Sequence, residues 1–526
     1  MLNCDEPLIL NDWNNLTVEE SSIDASPFRI EEIYDARKSL KNDKCPGEDL
    51  ITSEMVKVLV DNGITALQRI FNEILENECV PSDWKRGIIV CVPKKGDLSQ
   101  CSNWRGITLL SVPCKTLSQL IYNRIKGFTE TMFREQQAGF RQGRGCSDHI
   151  FVLRNIVEQC EEWQKSVILN FVDFRKAFDC VHRESMWKIL EIYGIPRKFI
   201  SIIKSMYHGS ESCVRVGQEH TDWFTVATGV RQGDVLSPLL FNILLDFIMR
   251  KIDTMECGIE WAGGKRLRDL DYADDICLLA SDVEEMQRMV DAIVMEGSKI
   301  GLTINTTKTE LIKIRTQDTR SVSIGSSNLK EVNSFVYLGS RISSDGDIRP
   351  EINIRVGKAS YAFNCLNNVW KEDRISRATK LRLFNAIVLS VLLYGCESWK
   401  GLQEIEERVR RFESNCLRKI LKIRWYDHVS EEELRRRTGQ QSVVEKIKIA
   451  RWKWYGHVLR MPDERIPKQA LDWRPEGRRR IGRPKDTWRR TLTRETNQKN
   501  LQEDDVRRRA EDRATWRSFV ADLWTT

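Results

Sequence analysis

What the chain lacks narrows the reading first. No uninterrupted apolar run reaches the length of a membrane-spanning helix, so no membrane partner is expected. The opening residues show no basic stretch followed by an apolar core, and Asp5 and Glu6 come at once, so a secretory leader is not expected. The 15 Cys are scattered singly, with no short paired spacing. That pattern excludes a disulfide-stapled scaffold and argues for reduced, mostly buried thiols in an intracellular protein. Cys396, Cys416, His428 and His457 lack close metal-ligand spacing, so no zinc is expected.

What is present is a globular composition, 41% hydrophobic and 30% charged over 526 residues, enough for several domains. The net charge of +7 is unevenly placed. From Gly401 to the end there are 32 Lys and Arg against 21 Asp and Glu, a net +11, while the preceding 400 residues carry −4. A basic tail on a near-neutral body points to a polyanion partner.

The stretch Leu270-Asp271-Tyr272-Ala273-Asp274-Asp275-Ile276-Cys277-Leu278-Leu279 sets two adjacent acids among apolar residues. It reads as two short strands joined at a tight turn, with the acids at the bend. Val167 to Asp179 reads as an apolar strand carrying Asp173 in its second half. Carboxylates in apolar surroundings need a compensating partner, and a divalent metal is the usual one. Neighbouring strands would bring Asp173 and Asp274 together on a Mg²⁺ pair, which takes hard oxygen ligands and leaves positions for phosphate oxygens.

Three motifs now stand in order: Phe171-Val172-Asp173-Phe174-Arg175-Lys176-Ala177-Phe178-Asp179, Gly229-Val230-Arg231-Gln232-Gly233-Asp234-Val235-Leu236-Ser237-Pro238, and Tyr272-Ala273-Asp274-Asp275. Together they resemble the reverse transcriptase of non-long-terminal-repeat (LINE-type, RTE- or jockey-like) retrotransposons. The resemblance covers residues 74–345 tightly and most of the rest loosely. It implies an α+β right-hand polymerase fold: fingers and an antiparallel palm at 74–345, a helical thumb at 346–400, and a basic C-terminal helical region at 401–526. Residues 1–73 are expected to be a linker and a helical extension. The implied activity is RNA-directed DNA polymerisation with deoxynucleoside triphosphates and two Mg²⁺ ions, Mn²⁺ being the alternative. Template RNA and primer or target DNA are the implied partners, with nuclear action and an otherwise cytoplasmic ribonucleoprotein. No endonuclease precedes the motifs, so one was lost or the chain is a fragment. The rival reading is a catalytically silent, retroelement-derived nucleic-acid-binding protein. RNA polymerisation is a third.

Site residues follow by motif. Asp173 and Asp274 are the expected metal ligands and catalytic residues, with Asp275 a further ligand or a support. Phe178 is the implied steric gate against a ribose 2′-hydroxyl. Asp179 would orient the turn or cap the next helix. On a basic fingers hairpin, Lys94 and Arg105 would meet triphosphate oxygens or template phosphates. Gln232 and Arg231 offer donors to base or backbone. Lys308 resembles the family's lysine beside the triphosphate. The glycine-rich loop Gln137 to Ser147, with Arg141 and Arg144, resembles the family's template-contacting loop. His149 is a poor functional candidate. Ser281-Asp282-Val283-Glu284 reads as a capping box, and Met286 and Met289 behind it as core.

In the tail, residues 451–490 hold 13 basic and 5 acidic side chains. Arg451, Trp452, Lys453, Arg478, Arg479, Arg480 and Arg483 are the candidate nucleic-acid contacts there, with aromatics stacking on bases while cations meet phosphate. The bland alternative is a helical domain whose arginines are solvated and whose tryptophans pack its core.

Overall fold

A computed structural model describes residues 3–4, 22–94, 96–479 and 481–524. Residues 1–2 and 5–21 of the expected N-terminal linker, and Arg480, therefore lie outside the described residues. The fingers sheet is built on β1 (Arg86–Pro93), with β2 (Trp104–Leu109) antiparallel on one side. The palm sheet contributes β3 (Val167–Val172), and the fingers sheet is completed by β4 (Glu211–Val216), parallel to β1. β5 (Asp269–Tyr272), β6 (Asp275–Ala280) and β7 (Glu310–Ile314) finish the palm in the order β7-β3-β6-β5, antiparallel throughout. The short strand Lys330–Glu331 adds a parallel edge beside β7.

All six residues of β3 are buried, which is why five of the six are apolar, Asn170 being the exception. Successive side chains point to opposite faces. Ile168 and Val172 enter one core with Met186, Leu240, Met286 and Met289. Val167, Leu169 and Phe171 enter a second. β6 divides in the same way, Ile276 and Leu278 to the first core, Cys277 and Leu279 to the second. The sheet thus lies between two apolar layers, and the methionine stripe is core, as expected.

The second layer corrects the reading of the tail. It is completed by the helix Cys146–Trp163 and by Trp452, Tyr455, Trp473, Trp488 and Trp516. Arg451 is almost wholly enclosed, ion-paired with Glu495 and donating to the Trp399 carbonyl at 3.0 Å. The Trp452 indole N–H donates to the same Glu495 at 2.8 Å. Arg451 and Trp452 therefore cannot serve as nucleic-acid contacts; the tail aromatics pack against the palm because a two-faced sheet needs a second cover. Lys453 is exposed. Arg479 is ion-paired with Glu162 at 3.0 Å, while Arg478 and Arg483 lie on an exposed loop.

A third core runs from Ile348 through Phe363, Trp370, Phe384 and Trp399 to Leu417, Val443 and Ile447. The expected thumb is helical, with Arg349–Cys365 and Arg377–Leu383 among its elements. Its core, however, continues past the expected boundary at residue 400. Two local expectations also change. Cys4 and Cys180 form a disulfide, so not every thiol is reduced, although Cys114, Cys160 and Cys277 are free and buried. The helix cap shifts by one residue and is not a reciprocal capping box. Asp282, not Ser281, accepts from the Glu285 N–H at 2.9 Å, and the Glu285 carboxylate takes the Ser281 N–H at 3.1 Å.

If Trp452 is core, Trp452→Ala should cost about 3–5 kcal/mol of stability. Urea unfolding followed by far-ultraviolet circular dichroism measures it, and RNA affinity of the folded variant should be unchanged. A selective loss of RNA affinity without a midpoint shift would return Trp452 to the binding surface.

Candidate functional site

The acidic hairpin forms where the sequence places it. Tyr272 pairs with Asp275, leaving Ala273 and Asp274 as a two-residue turn. Ala273 takes a positive φ of 55°, a conformation that costs an alanine energy and must be held from outside. The loop Gln136–Gly139 holds it. The Ala138 N–H donates to the Asp271 carbonyl at 2.8 Å, and the Asp271 N–H to the Gln136 carbonyl at 3.0 Å. The Gln137 side-chain oxygen accepts from both Gly139 and Ala273 N–H groups, at 2.8 and 3.0 Å. A Cβ on Gly139 would stand 2.2 Å from the Ala273 nitrogen, so only glycine fits.

Arg134 anchors the same loop. Its guanidinium donates to Asp269 at 2.7 Å and Asp271 at 2.6 Å, and its N–H to Asp246 at 2.9 Å. Burial and the neighbouring Asp269 charge hold the Asp271 carboxyl far above the usual carboxylate range. Sequence reasoning missed this cluster, because an arginine in a loop gives no sign that it will be buried. It also missed Asp234, a buried carboxylate that accepts from the Ser118 hydroxyl at 3.2 Å and ties the 229–238 loop to the helix Val112–Met132. The loop's richness in polar residues was a signal for that.

The β3–β6 register pairs Val172 with Ile276, so one step further Asp275 comes opposite Asp173. The Asp173 backbone is fixed on both sides. Its N–H donates to the Thr309 hydroxyl at 3.2 Å, and its carbonyl accepts from Asn305 at 2.7 Å. Asp173 Oδ2 has no hydrogen-bond partner, and the Lys308 ammonium stands 3.8 Å away. Burial, then the Asp173 charge, raises the Asp274 carboxyl, while Arg105 lowers it. Burial and the charges of Asp274 and Asp173 push Asp275 up to about 6. The three acids therefore feel one another.

A cleft of about 2140 Å³ opens over this point. Asp173, Asp274, Lys94, Arg105, Phe178, Gln232 and Lys308 all line it. Lys176, at a positive φ of 46°, turns the chain into the short helix Ala177–Cys180, which presents Phe178 stacked on Phe241 at 4.5 Å. The Gln232 amide donates to Asp179 at 2.8 Å, and its carbonyl accepts from Thr108 on β2 at 2.7 Å. Asp179 thus holds the 229–238 loop, where the expectation was its own turn or a cap on the next helix, whose N-cap is His182. A Cβ on Gly229 would stand 2.5 Å from the Asp179 carbonyl oxygen, which explains that glycine.

Other expectations are corrected. Arg231 is buried and donates to the carbonyls of Trp84, Lys85 and Met206, so it braces the fingers and cannot read a base. Arg141 is buried against Glu130 and the carbonyls of Arg134 and Gln137. Arg144 pairs with Glu135 at 2.7 Å. The glycine-rich loop spends these arginines on itself and supports the hairpin. His149 is a core residue, held at a pKa of about 3 by burial.

The acid pair fits a divalent cation. Two converging carboxylates, one oxygen unpartnered, are hard donors whose mutual repulsion a cation relieves. Among the described residues no three His, Cys, Asp or Glu side chains are gathered at metal-ligand spacing. Asp275, expected as a further ligand or a support, lines a neighbouring depression of about 340 Å³ that Asp173 and Lys308 also line, together with Phe335 and Tyr337. Adjacent residues across a turn point to different faces, and the pair that faces the cleft is Asp173 and Asp274.

An antiparallel palm with an acidic hairpin beside an acid-bearing strand, under a cation-lined cleft, gives the chain the right-hand polymerase fold. The chain belongs to the reverse transcriptase family: the family model for reverse transcriptase (RNA-dependent DNA polymerase) matches residues 92–342. A domain of unknown function matches residues 362–394. An uncharacterized transposon-derived protein of Caenorhabditis elegans is 31% identical over 44% of this chain and 86% of its own length. The RNA-directed DNA polymerase from mobile element jockey of Drosophila melanogaster is 23% identical over 77% of this chain and 45% of its own length. The transposon TX1 uncharacterized 149 kDa protein of Xenopus laevis is 26% identical over 54% of this chain. The chain spans only 22% of that protein's length.

Among the described residues, Arg134 is the lone guanidinium donating to Asp269 and Asp271. Arg134→Met should cost about 3–5 kcal/mol, since it strands buried carboxylates. Arg134→Lys should cost less. Urea midpoints decide; a shift below about 1 kcal/mol for Arg134→Met would mean the cluster is dispensable.

Proposed function

We propose that the chain extends a primer 3′-hydroxyl with deoxynucleotides along an RNA template. The observation that carries this is the convergence, in one cleft, of the Asp173–Asp274 pair with Lys94, Arg105, Phe178, Gln232 and Lys308. Asp173 and Asp274 would hold Mg²⁺; the chemistry it supplies there is activation of the attacking hydroxyl and charge relief on the departing pyrophosphate. Lys308, 3.8 Å from Asp173, is placed to meet phosphate charge beside the acids. Lys94 and Arg105 supply further cations on the fingers side. Phe178, stiffened by Phe241, excludes a 2′-hydroxyl by occupying its space. Gln232, fixed through Asp179, supports the base pair. Partners of this chemistry are template RNA and primer or target DNA, and copying onto nicked chromosomal DNA would be nuclear.

A primer-extension assay on an RNA template tests the reading. Asp274→Ala should abolish extension and leave RNA binding largely intact, because it removes a metal ligand and no phosphate contact. Turnover retained by this variant would move the metal site elsewhere. No product from the folded wild-type chain would favour a silent nucleic-acid-binding relative. Phe178→Ala should raise ribonucleotide incorporation relative to deoxynucleotide; an unchanged ratio would remove the gate.

The exposed loop around Arg478 and Arg483 remains the tail's candidate polyanion contact. Arg478→Gln with Arg483→Gln should lower the salt slope of RNA binding by up to roughly 2 units. Superimposable salt titrations would leave that loop as solvated surface.

A further inference from the structure

Ten tryptophans among the described residues are 9% exposed or less, but Trp425 is 86% exposed and its neighbour Tyr426 is 59% exposed. They stand together on the turn between the helices Gln403–Ile420 and Glu431–Thr438. Their rings meet edge to face, with centroids 5.7 Å apart and planes at 74°. One broad face of each ring is therefore left for another planar group.

The turn that presents them is built, and at a cost. Lys422 and His428 bracket the pair at positive φ values of 58° and 47°, a conformation unfavourable to residues with side chains. The Asp427 carboxylate accepts from the Arg424 N–H at 2.6 Å, and the Asp427 N–H donates back to the Arg424 carbonyl at 3.1 Å. Arg418 reaches over to the Val429 carbonyl at 2.8 Å. Two adjacent aromatic side chains held out on a braced turn, one of them the most exposed tryptophan among the described residues, indicate a binding partner.

Charge selects the partner. Arg418, Lys419, Lys422 and Arg424 lie within seven residues, against Asp427 alone. Asp427 is occupied by the turn, and Lys422 is shared with Asp373. Such cations favour a polyanion and disfavour an apolar protein surface. A duplex keeps its base faces stacked inside, whereas a single strand can lay bases on free rings while its phosphates meet the cations.

We propose that Trp425 and Tyr426 form a stacking platform for single-stranded nucleic acid, distinct from the polymerase cleft and from the Arg478–Arg483 loop. The platform rests on the reading of this chain as a nucleic-acid enzyme, yet its test does not need catalysis. The full chain, the double variant Trp425→Ala/Tyr426→Ala and the conservative Trp425→Phe/Tyr426→Phe are titrated with a 30-nucleotide single-stranded RNA and a blunt RNA duplex of equal length. The alanine variant should bind single strand at least about tenfold more weakly, and duplex within about twofold of wild type. The phenylalanine variant should retain most of the affinity. Because rings release no counterions, the salt slope should stay unchanged. Equal loss on both probes, no loss on either, or a reduced slope would overturn the platform. So would a concentration-dependent dimer of the wild type that the alanine variant lacks while still binding RNA, since a second copy would then be the occupant. Loss of primer extension in the wild type would refute the polymerase reading and leave this comparison standing.

Discussion

Like charges must be held together at the end of a buried sheet, and most of the molecule serves that constraint. Asp173 and Asp274 repel each other, and burial raises the Asp274 carboxyl further. Neither would stay in place on a free loop. The antiparallel pairing of β3 with β6 fixes their separation in register, and that pairing is rigid because both faces of both strands are packed. Behind the hairpin the Gln136–Gly139 loop holds the Ala273 turn, and Arg134 holds the loop to Asp269 and Asp271. The chain thus meets a repulsion at its cleft with a salt-bridged cluster directly behind it.

The palm's need for two covers also explains the tail. A sheet whose β3 residues are apolar on both faces cannot leave either face to water. The first is closed by helices from within the palm region. The second is closed by the helix Cys146–Trp163 and by residues beyond 450, far along the chain. The Arg451–Glu495 pair locks this return, with the Trp452 indole as a further donor to Glu495. The C-terminal region is thereby continuous with the catalytic sheet, and the thumb core ending near Ile447 is inserted between.

Legibility in the sequence followed how local each cause was. The acidic hairpin, β3, the Phe178 turn and the methionine stripe were readable, because period and turn chemistry act over a few residues. The gathering of Lys94, Arg105, Gln232 and Lys308 was readable only through motif order, since the sheet topology that joins them spans more than 200 residues. Arginine was misread most often. Arg141, Arg231 and Arg451 all occur in segments that suit phosphate binding, yet each donates to carbonyls or a carboxylate inside the protein. A guanidinium carries five donors in a planar fork, so it satisfies buried backbone as readily as phosphate, and only tertiary packing decides between them.

That ambivalence changes what the +11 of residues 401–526 means. Net charge counts cations, but a polyanion meets only those whose donors face water. Arg451 and Arg490 neutralise Glu495 and Glu162, and Arg479 shares the latter. The acidic end of the helix Cys146–Trp163 thus draws in the loop that, in isolation, would look like a phosphate-binding arm. Exposed cations, among them Lys453, those near Trp425 and those at Arg478 and Arg483, are what a partner can meet. The tail's attraction for nucleic acid is therefore set by its exposed cations and not by its summed charge, while Arg451, Arg479 and Arg490 help to hold the second face of the palm closed.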